Sequence, residues 1–266
     1  MINATIKTGQ RLALSREKGH LFIEVDNDKW FVDTGCDLSF SDRRDSVTLD
    51  GIRCSIDHKA LPLARPWTVD KLIEDVGVEC VGLLGMDILG RYDWIFHRDS
   101  ALVSKAALID EDWQRDDESY STMALDFWHG LPFIAANINH LPPQRVLFDT
   151  GCQYSYMDPL KVAPGMSIIG ELNDFSPLDP NGTLDTYWGL LYWSVGDARF
   201  NHLKTGYLIR NHGLTWLLKA ADSSGILGNE WIEHGIQVGF FPRRKRLVIE
   251  HPDPRVSLYT PMCPGE

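Results

Sequence analysis

Apolar residues in this chain fall in short runs of about four to eight, rich in β-branched and aromatic side chains and punctuated by Gly, Asn, Asp and Pro. That pattern predicts strands far more often than helices. One pair of runs recurs. Leu21-Phe22-Ile23-Glu24-Val25, a polar gap and Trp30-Phe31-Val32-Asp33-Thr34-Gly35-Cys36 are matched by Pro132-Phe133-Ile134-Ala135-Ala136-Asn137-Ile138, a gap and Val146-Leu147-Phe148-Asp149-Thr150-Gly151-Cys152. Each copy predicts two strands joined by a turn, with an aspartate at the end of the second strand and a glycine that permits a tight bend.

The match continues downstream. Leu83-Leu84-Gly85 corresponds to Ile226-Leu227-Gly228, and the two-strand pattern of residues 94–103 corresponds to that of residues 238–249. Order and chemistry both repeat, so the sequence predicts a mainly β protein of two duplicated lobes. Short helices are expected at 68–75, 86–91, 158–162 and 229–235. The acidic stretch around Asp110-Glu111-Asp112 and Asp116-Asp117-Glu118 interrupts the apolar pattern, giving a first lobe over 1–108, a connector over 109–122 and a second lobe over 123–266.

The lobes differ in one respect. Asp33 and Gly85 are 52 positions apart and Asp149 and Gly228 are 79 apart, a surplus of 27 in the second lobe. Alignment of residues 46–53 with 192–199 puts this insertion within about 170–191. There Asp179-Pro180-Asn181-Gly182 is strong turn chemistry, followed by Thr183 to Trp188 as a returning strand. The expectation is a hairpin covering a cleft, with Asn181, Gly182, Tyr187 and Trp188 as candidate substrate contacts.

At 266 residues the chain can bury an adequate core in one large domain or two modest ones. A formal charge of −11 argues against a nucleic-acid partner, and the short basic run from Arg243 to Arg246 reads as a solvated hairpin turn. No apolar stretch approaches the roughly twenty residues of a membrane span, and the first residues lack a signal-peptide core. The expectation is a cytoplasmic protein with no membrane partner. Five cysteines without a CxxC or a Cys/His cluster predict free thiols, with neither a disulfide framework nor a metal site.

The two Asp-Thr-Gly segments, each with its later apolar-apolar-Gly, resemble the pepsin and retropepsin aspartic peptidases over about residues 21–249. The resemblance implies a bilobal pepsin-like acid protease fold with retropepsin-like lobes and an active-site cleft between them. It implies Asp33 and Asp149 as a catalytic dyad that hydrolyses peptide bonds of extended polypeptides through an activated water, with no cofactor. Thr34 and Thr150 would hydrogen-bond across the lobe junction, and Gly35 and Gly151 would let backbone N–H groups approach the carboxylates. One chain would supply both aspartates, so a monomer suffices. Two departures stand out. In pepsin-like proteins the flap belongs to the first lobe, whereas the surplus here lies in the second. Cys36 and Cys152 stand where the family usually has Ser, Thr or Ala, and are read as packing residues, because Cys behaves as a small hydrophobe. The alternatives are a peptide-binding module that cleaves poorly or not at all, and a β-rich structural protein whose two aspartates lie far apart.

Overall fold

The computed structural model describes residues 9–63, 66–106, 119–161, 167–178, 182–208, 212–234 and 236–251. Residues 109–118 of the expected connector, Val162, Asp179 to Asn181 of the expected turn, Gly235 and Cys263 lie outside the described residues. The first half forms strands β1 (Gln10–Glu17), β2 (His20–Val25), β3 (Asp28–Val32), β4 (Ser46–Leu49), β5 (Ile52–Ser55), β6 (Gly82–Leu84), β7 (Asp93–His97) and β8 (Ser100–Ser104). Its helices are α1 (Val69–Val76) and α2 (Met86–Leu89). The second half forms β9 (Tyr120–Ala124), β10 (Asp126–Trp128), β11 (Leu131–Ile138), β12 (Gln144–Phe148), β13 (Ser155–Met157), β14 (Gly170–Phe175), β15 (Thr183–Val195), β16 (Ala198–Tyr207), β17 (Gly225–Leu227), β18 (Val238–Phe241) and β19 (Arg246–Glu250). It carries helix α3 (Gly213–Ala220) and a 3₁₀ turn over Glu230–His234.

Local chemistry accounts for most boundaries. Thr68 caps α1 by accepting the Lys71 N–H, and Gly77 ends the helix in the left-handed region at φ 70°. The helix expected at 158–162 is a turn over its described residues, because the Asp158 carboxylate accepts the Leu160 N–H and its carbonyl accepts the Lys161 N–H. Helix α3 was not expected. Its signal is modest, with His212 accepting the Leu214 N–H as a cap and Leu214, Leu217 and Leu218 on one face.

The duplicated motifs occupy equivalent places. Strand β3 pairs in parallel with β6, Val32 opposite Leu84, and β12 pairs in parallel with β17, Phe148 opposite Leu227. The apolar-apolar-Gly segment of each half therefore runs beside the strand that delivers the aspartate.

Two large sheets result. A nine-stranded sheet runs β6-β3-β2-β1-β8-β7-β18-β19-β9, and an eight-stranded sheet runs β10-β11-β12-β17-β13-β16-β15-β14. The first belongs to both halves, since β7 pairs antiparallel with β18, Trp94 opposite Phe240. Behind that seam an aromatic column crosses from one half to the other. Trp94 stacks on Phe96, Phe96 meets Trp231, and Phe148 packs on both Trp231 and Phe240, with centroids 5.7–6.4 Å apart. All five are essentially inaccessible to solvent. A fully buried ring of this kind contributes about 1.5–3 kcal/mol, so the column docks the halves firmly. Phe148 immediately precedes Asp149, which makes the second aspartate an extension of that shared core.

Candidate active site

Asp33 and Asp149 emerge from the ends of β3 and β12 and meet at the floor of a cavity of about 440 Å³ between the halves. Each is anchored by its companion motif, since the Asp33 N–H donates to Leu84 O and the Asp149 N–H to Leu227 O, both at 3.0 Å. The Asp33 carboxyl hydrogen-bonds to that of Asp149. The expectation of a juxtaposed pair and the structure agree here, and a protein whose two aspartates lie far apart is excluded.

Four side-chain hydrogen bonds hold the pair in register. The Thr34 N–H donates to Thr150 Oγ1 at 3.0 Å and the Thr150 N–H to Thr34 Oγ1 at 2.9 Å. Each hydroxyl in turn donates across the junction, Thr34 to Phe148 O at 2.7 Å and Thr150 to Val32 O at 3.0 Å. Both threonines are fully buried, so stranding any one of these groups would cost about 1–3 kcal/mol.

The glycines are required by space. A Cβ on Gly35 would lie 2.2 Å from Asp149 Oδ2, and one on Gly151 would lie 2.4 Å from Asp33 Cγ. Each carboxyl thus rests against the glycine of the opposite half. The Gly35 N–H donates to Asp33 Oδ1 at 2.8 Å, while Asp149 Oδ1 accepts from the N–H groups of Gly151 at 2.9 Å and Cys152 at 3.1 Å.

This environment splits the two acids. Burial, then the charge of Asp149 and the hydrogen bond to it, hold the Asp33 proton well above the usual carboxylate range. Asp149 is also raised by burial, but the Asp33 hydrogen bond and its backbone donors oppose the shift. The two carboxyls titrate as a pair, and at intermediate pH they share one proton.

Both cysteines line the cavity and pack with apolar neighbours, Cys36 against the Phe31 and Leu83 cluster and Cys152 against the Leu147 and Ile226 cluster. The Cys36 thiol donates to Leu38 O at 3.2 Å rather than to a carboxylate. Burial pushes both thiols well above their ordinary range, so neither is a thiolate. The four described cysteines are free, and the described residues hold no group of three His, Cys, Asp or Glu able to bind a metal.

The expected hairpin exists as β14 and β15, with Glu171 opposite Tyr187 and Asp174 opposite Leu184. Gly182 closes it at φ 77°, its carbonyl accepting the Ser176 N–H. Asn181 lies outside the described residues. Tyr187 and Trp188 are on β15, away from the cavity. Strand alternation turns Tyr187 to solvent, 48% exposed, while Trp188 lies over Lys204 and packs in the second-half core. The residues that do reach the cavity are Asp174, Phe175 and Ser176 to Leu178. Phe175 crosses the cleft to stack on Trp67 at 5.8 Å and to meet the His20 ring edge-on at 5.1 Å, both in the first half. The first half also contributes Leu61 to Leu63 and Trp67, so closure is shared by the two halves.

Sequence reasoning missed a second duplicated device. Ser39 N–H and Oγ both donate to Asp87 Oδ1 while its Oγ accepts the Gly85 N–H, and Ser155 N–H and Oγ donate to Glu230 while its Oγ accepts the Gly228 N–H. The signal was present as Asp-Thr-Gly-Cys-x-x-Ser followed by apolar-apolar-Gly-x-Asp/Glu in both halves.

No protein-family model and no curated protein matches the chain by sequence. Among solved structures, an aspartic proteinase from Irpex lacteus aligns over 92% of this chain and 98% of its own at 11% identity and a TM-score of 0.52. Conglutin gamma, a basic 7S globulin from lupine seeds, aligns over 91% and 95% at 9% identity with a TM-score of 0.52. A retropepsin-like aspartic protease from Rickettsia conorii covers 50% of this chain and 90% of its own at 15% identity with a TM-score of 0.33. The chain has the bilobal fold of the pepsin-like aspartic proteinases, a fold that a seed globulin also carries.

Proposed function

We propose that this chain, built on the pepsin-like fold, is an aspartic endopeptidase that hydrolyses extended polypeptides with the Asp33/Asp149 dyad. The single observation that carries this reading is the carboxyl pair at the cavity floor, each carboxyl resting against the glycine of the opposite half. A water between the carboxyls loses a proton to ionised Asp149 as it attacks the scissile carbonyl, whose oxygen is polarised by the Asp33 proton. As the tetrahedral intermediate collapses, Asp149 returns a proton to the departing amine and Asp33 recovers its own. The apolar walls, Leu38, Leu61 and Trp67 on one side and Leu131, Leu147 and Ile226 on the other, exclude bulk water and strengthen these charges. Both aspartates come from one chain, so a monomer suffices.

The test is hydrolysis of a diverse peptide library by the parent and by Asp33→Asn and Asp149→Asn. An amide keeps the shape but cannot share or accept the proton, so each variant is expected to lose activity by at least about 10³-fold with its fold intact. Parent-like turnover by either variant overturns the dyad mechanism. A fold shared with a seed globulin does not by itself fix activity, so the second reading is a peptide-binding module. It predicts that the parent retains library peptides uncut at every pH.

A further inference from the structure

The two halves repeat each other closely around the dyad, but the turns that precede β2 and β11 are not used alike. The turn joining β1 to β2, Lys18-Gly19, presses on the Asp149 loop: a Cβ on Gly19, at φ 88°, would fall 2.3 Å from Gln153 Oε1. Around this contact lies a set of hydrogen bonds at the junction of the halves. Arg16 Nε donates to Asn229 Oδ1 at 2.7 Å, and its guanidinium also donates to Gln153 O at 3.0 Å. Asn229 Nδ2 donates to Gly19 O at 3.0 Å and to Thr150 O at 2.9 Å. His20 Nδ1 lies 3.0 Å from Gly151 O. A carbonyl only accepts, so this nitrogen carries the ring proton. Burial holds the His20 pKa down at about 4, so the ring is neutral.

The mirror-related turn does nothing comparable. His129-Gly130, between β10 and β11, has the same left-handed pair of residues, yet a Cβ on Gly130 would meet no atom within 4 Å. The repeat sets His20 against Leu131, an apolar residue that makes no such bond. Gly151 O is thus held by His20 of the first half, and Thr150 O by Asn229, which Arg16 and Gly19 O of the first half hold in turn; these carbonyls belong to the peptide units whose N–H groups, on Gly151 and Cys152, hold Asp149 Oδ1.

We propose that Arg16, His20 and Asn229 form a one-sided clasp that positions Asp149: by fixing the Thr150 and Gly151 carbonyls they aim two backbone N–H groups at the carboxylate that serves as base. The proposal rests on the catalytic reading of the dyad. The three are positioning residues, and the clasp makes the base of the second half dependent on the first. The titratable and charged groups around this loop are Asp33, just past β3, and the Cys36 and Cys152 thiols next to Asp149, with Asp37 close to the Cys36 thiol, Asp174 from β14 and Glu230 from the 3₁₀ turn close to the Cys152 thiol, and His20 from β2 with Arg16 from β1 on the carbonyl side. His20, Arg16 and the uncharged Asn229 are the side chains that donate to the carbonyls of this loop, at Gly151, Gln153 and Thr150.

The test uses the full chain with His20→Leu, the residue of the mirror position, His20→Asn, which restores an N–H near Nδ1, and Asn229→Asp, which keeps the Arg16 contact but loses both donated bonds. Kinetics are read across pH, and the dyad titration is read separately by ¹³C NMR of labelled Asp carboxyls. His20→Leu and Asn229→Asp are expected to lower kcat about tenfold or more with KM within about twofold. They should also raise the lower macroscopic dyad pKa by about half a unit or more, because the carboxylate loses well-aimed donors. His20→Asn should recover most of both effects. Parent-like kcat and dyad titration in folded His20→Leu and Asn229→Asp overturn the clasp. If either fails to fold, Arg16→Gln on the outer edge of the clasp decides in the same way. A parent that cuts no peptide refutes the catalytic reading, while the NMR titration still reports whether the clasp acts on Asp149.

Discussion

Asp33 is unusual among the buried residues because burial and the neighbouring Asp149 hold its proton well above the usual carboxylate range, and this has a sign for stability. A carboxyl whose folded pKa is raised binds its proton in the folded state at pH values where the unfolded chain has released it. Stability therefore falls as pH rises from the ordinary carboxylate range through the folded value, and is flat below and above that window. Asp33→Asn removes the effect. It is expected to raise Tm relative to the parent at neutral pH and to leave it nearly unchanged at pH 3, where both states of the parent are protonated. Denaturation scans at the two pH values check this, and a gain of equal size at both would mean that packing, not proton linkage, sets the difference. The residue that makes the chemistry possible is then one that destabilises the fold at neutral pH.

At the scale of the element, the β14–β15 hairpin is the part whose movement has consequences. Its end carries Phe175 across the cleft onto Trp67 and His20, and an aromatic contact of this kind is worth about 0.5–1.5 kcal/mol beyond its burial. A substrate entering beneath it exchanges that contact for its own. Phe175→Ala is expected to raise KM several-fold and lower kcat, since the hairpin both grips substrate and excludes water, while global stability falls by only about 1–2 kcal/mol. A steady-state assay with a denaturant titration separates these. Unchanged kinetics would make the contact structural. The hairpin itself was legible from the surplus of 27 residues and the Asp-Pro-Asn-Gly turn, because both are local in sequence. Which of its residues face the cleft was not. Tyr187 and Trp188 were candidates by their aromaticity, yet the pairing of β14 with β15 turns Tyr187 outward and packs Trp188 on Lys204. For the same reason the Asp-Thr-Gly pair could be read directly, each motif being a strand end with its own turn. The clasp of Arg16, His20 and Asn229 could not, since its members lie about 210 positions apart and only the assembled halves bring them together.

For the whole molecule the decisive feature is the nine-stranded sheet, in which β7 meets β18 and the chain's later strands complete the first half's architecture. Residues 1–108 alone would expose the β7 edge and the Trp94 and Phe96 faces, leaving apolar surface that small domains rarely tolerate. The two halves are therefore expected to unfold in one transition, with calorimetric and van't Hoff enthalpies in agreement, and neither half is expected to fold alone. Two resolved transitions would contradict this. The same geometry has a spectroscopic consequence. A carboxyl that keeps its proton above the usual carboxylate range gives, there, an infrared carbonyl band distinct from that of the ionised acids. Asp33 keeps its proton through burial and the touch of Asp149 from the other half. That band is a built-in gauge of lobe docking: it fades when the halves draw apart, whether or not a substrate is present to be cut.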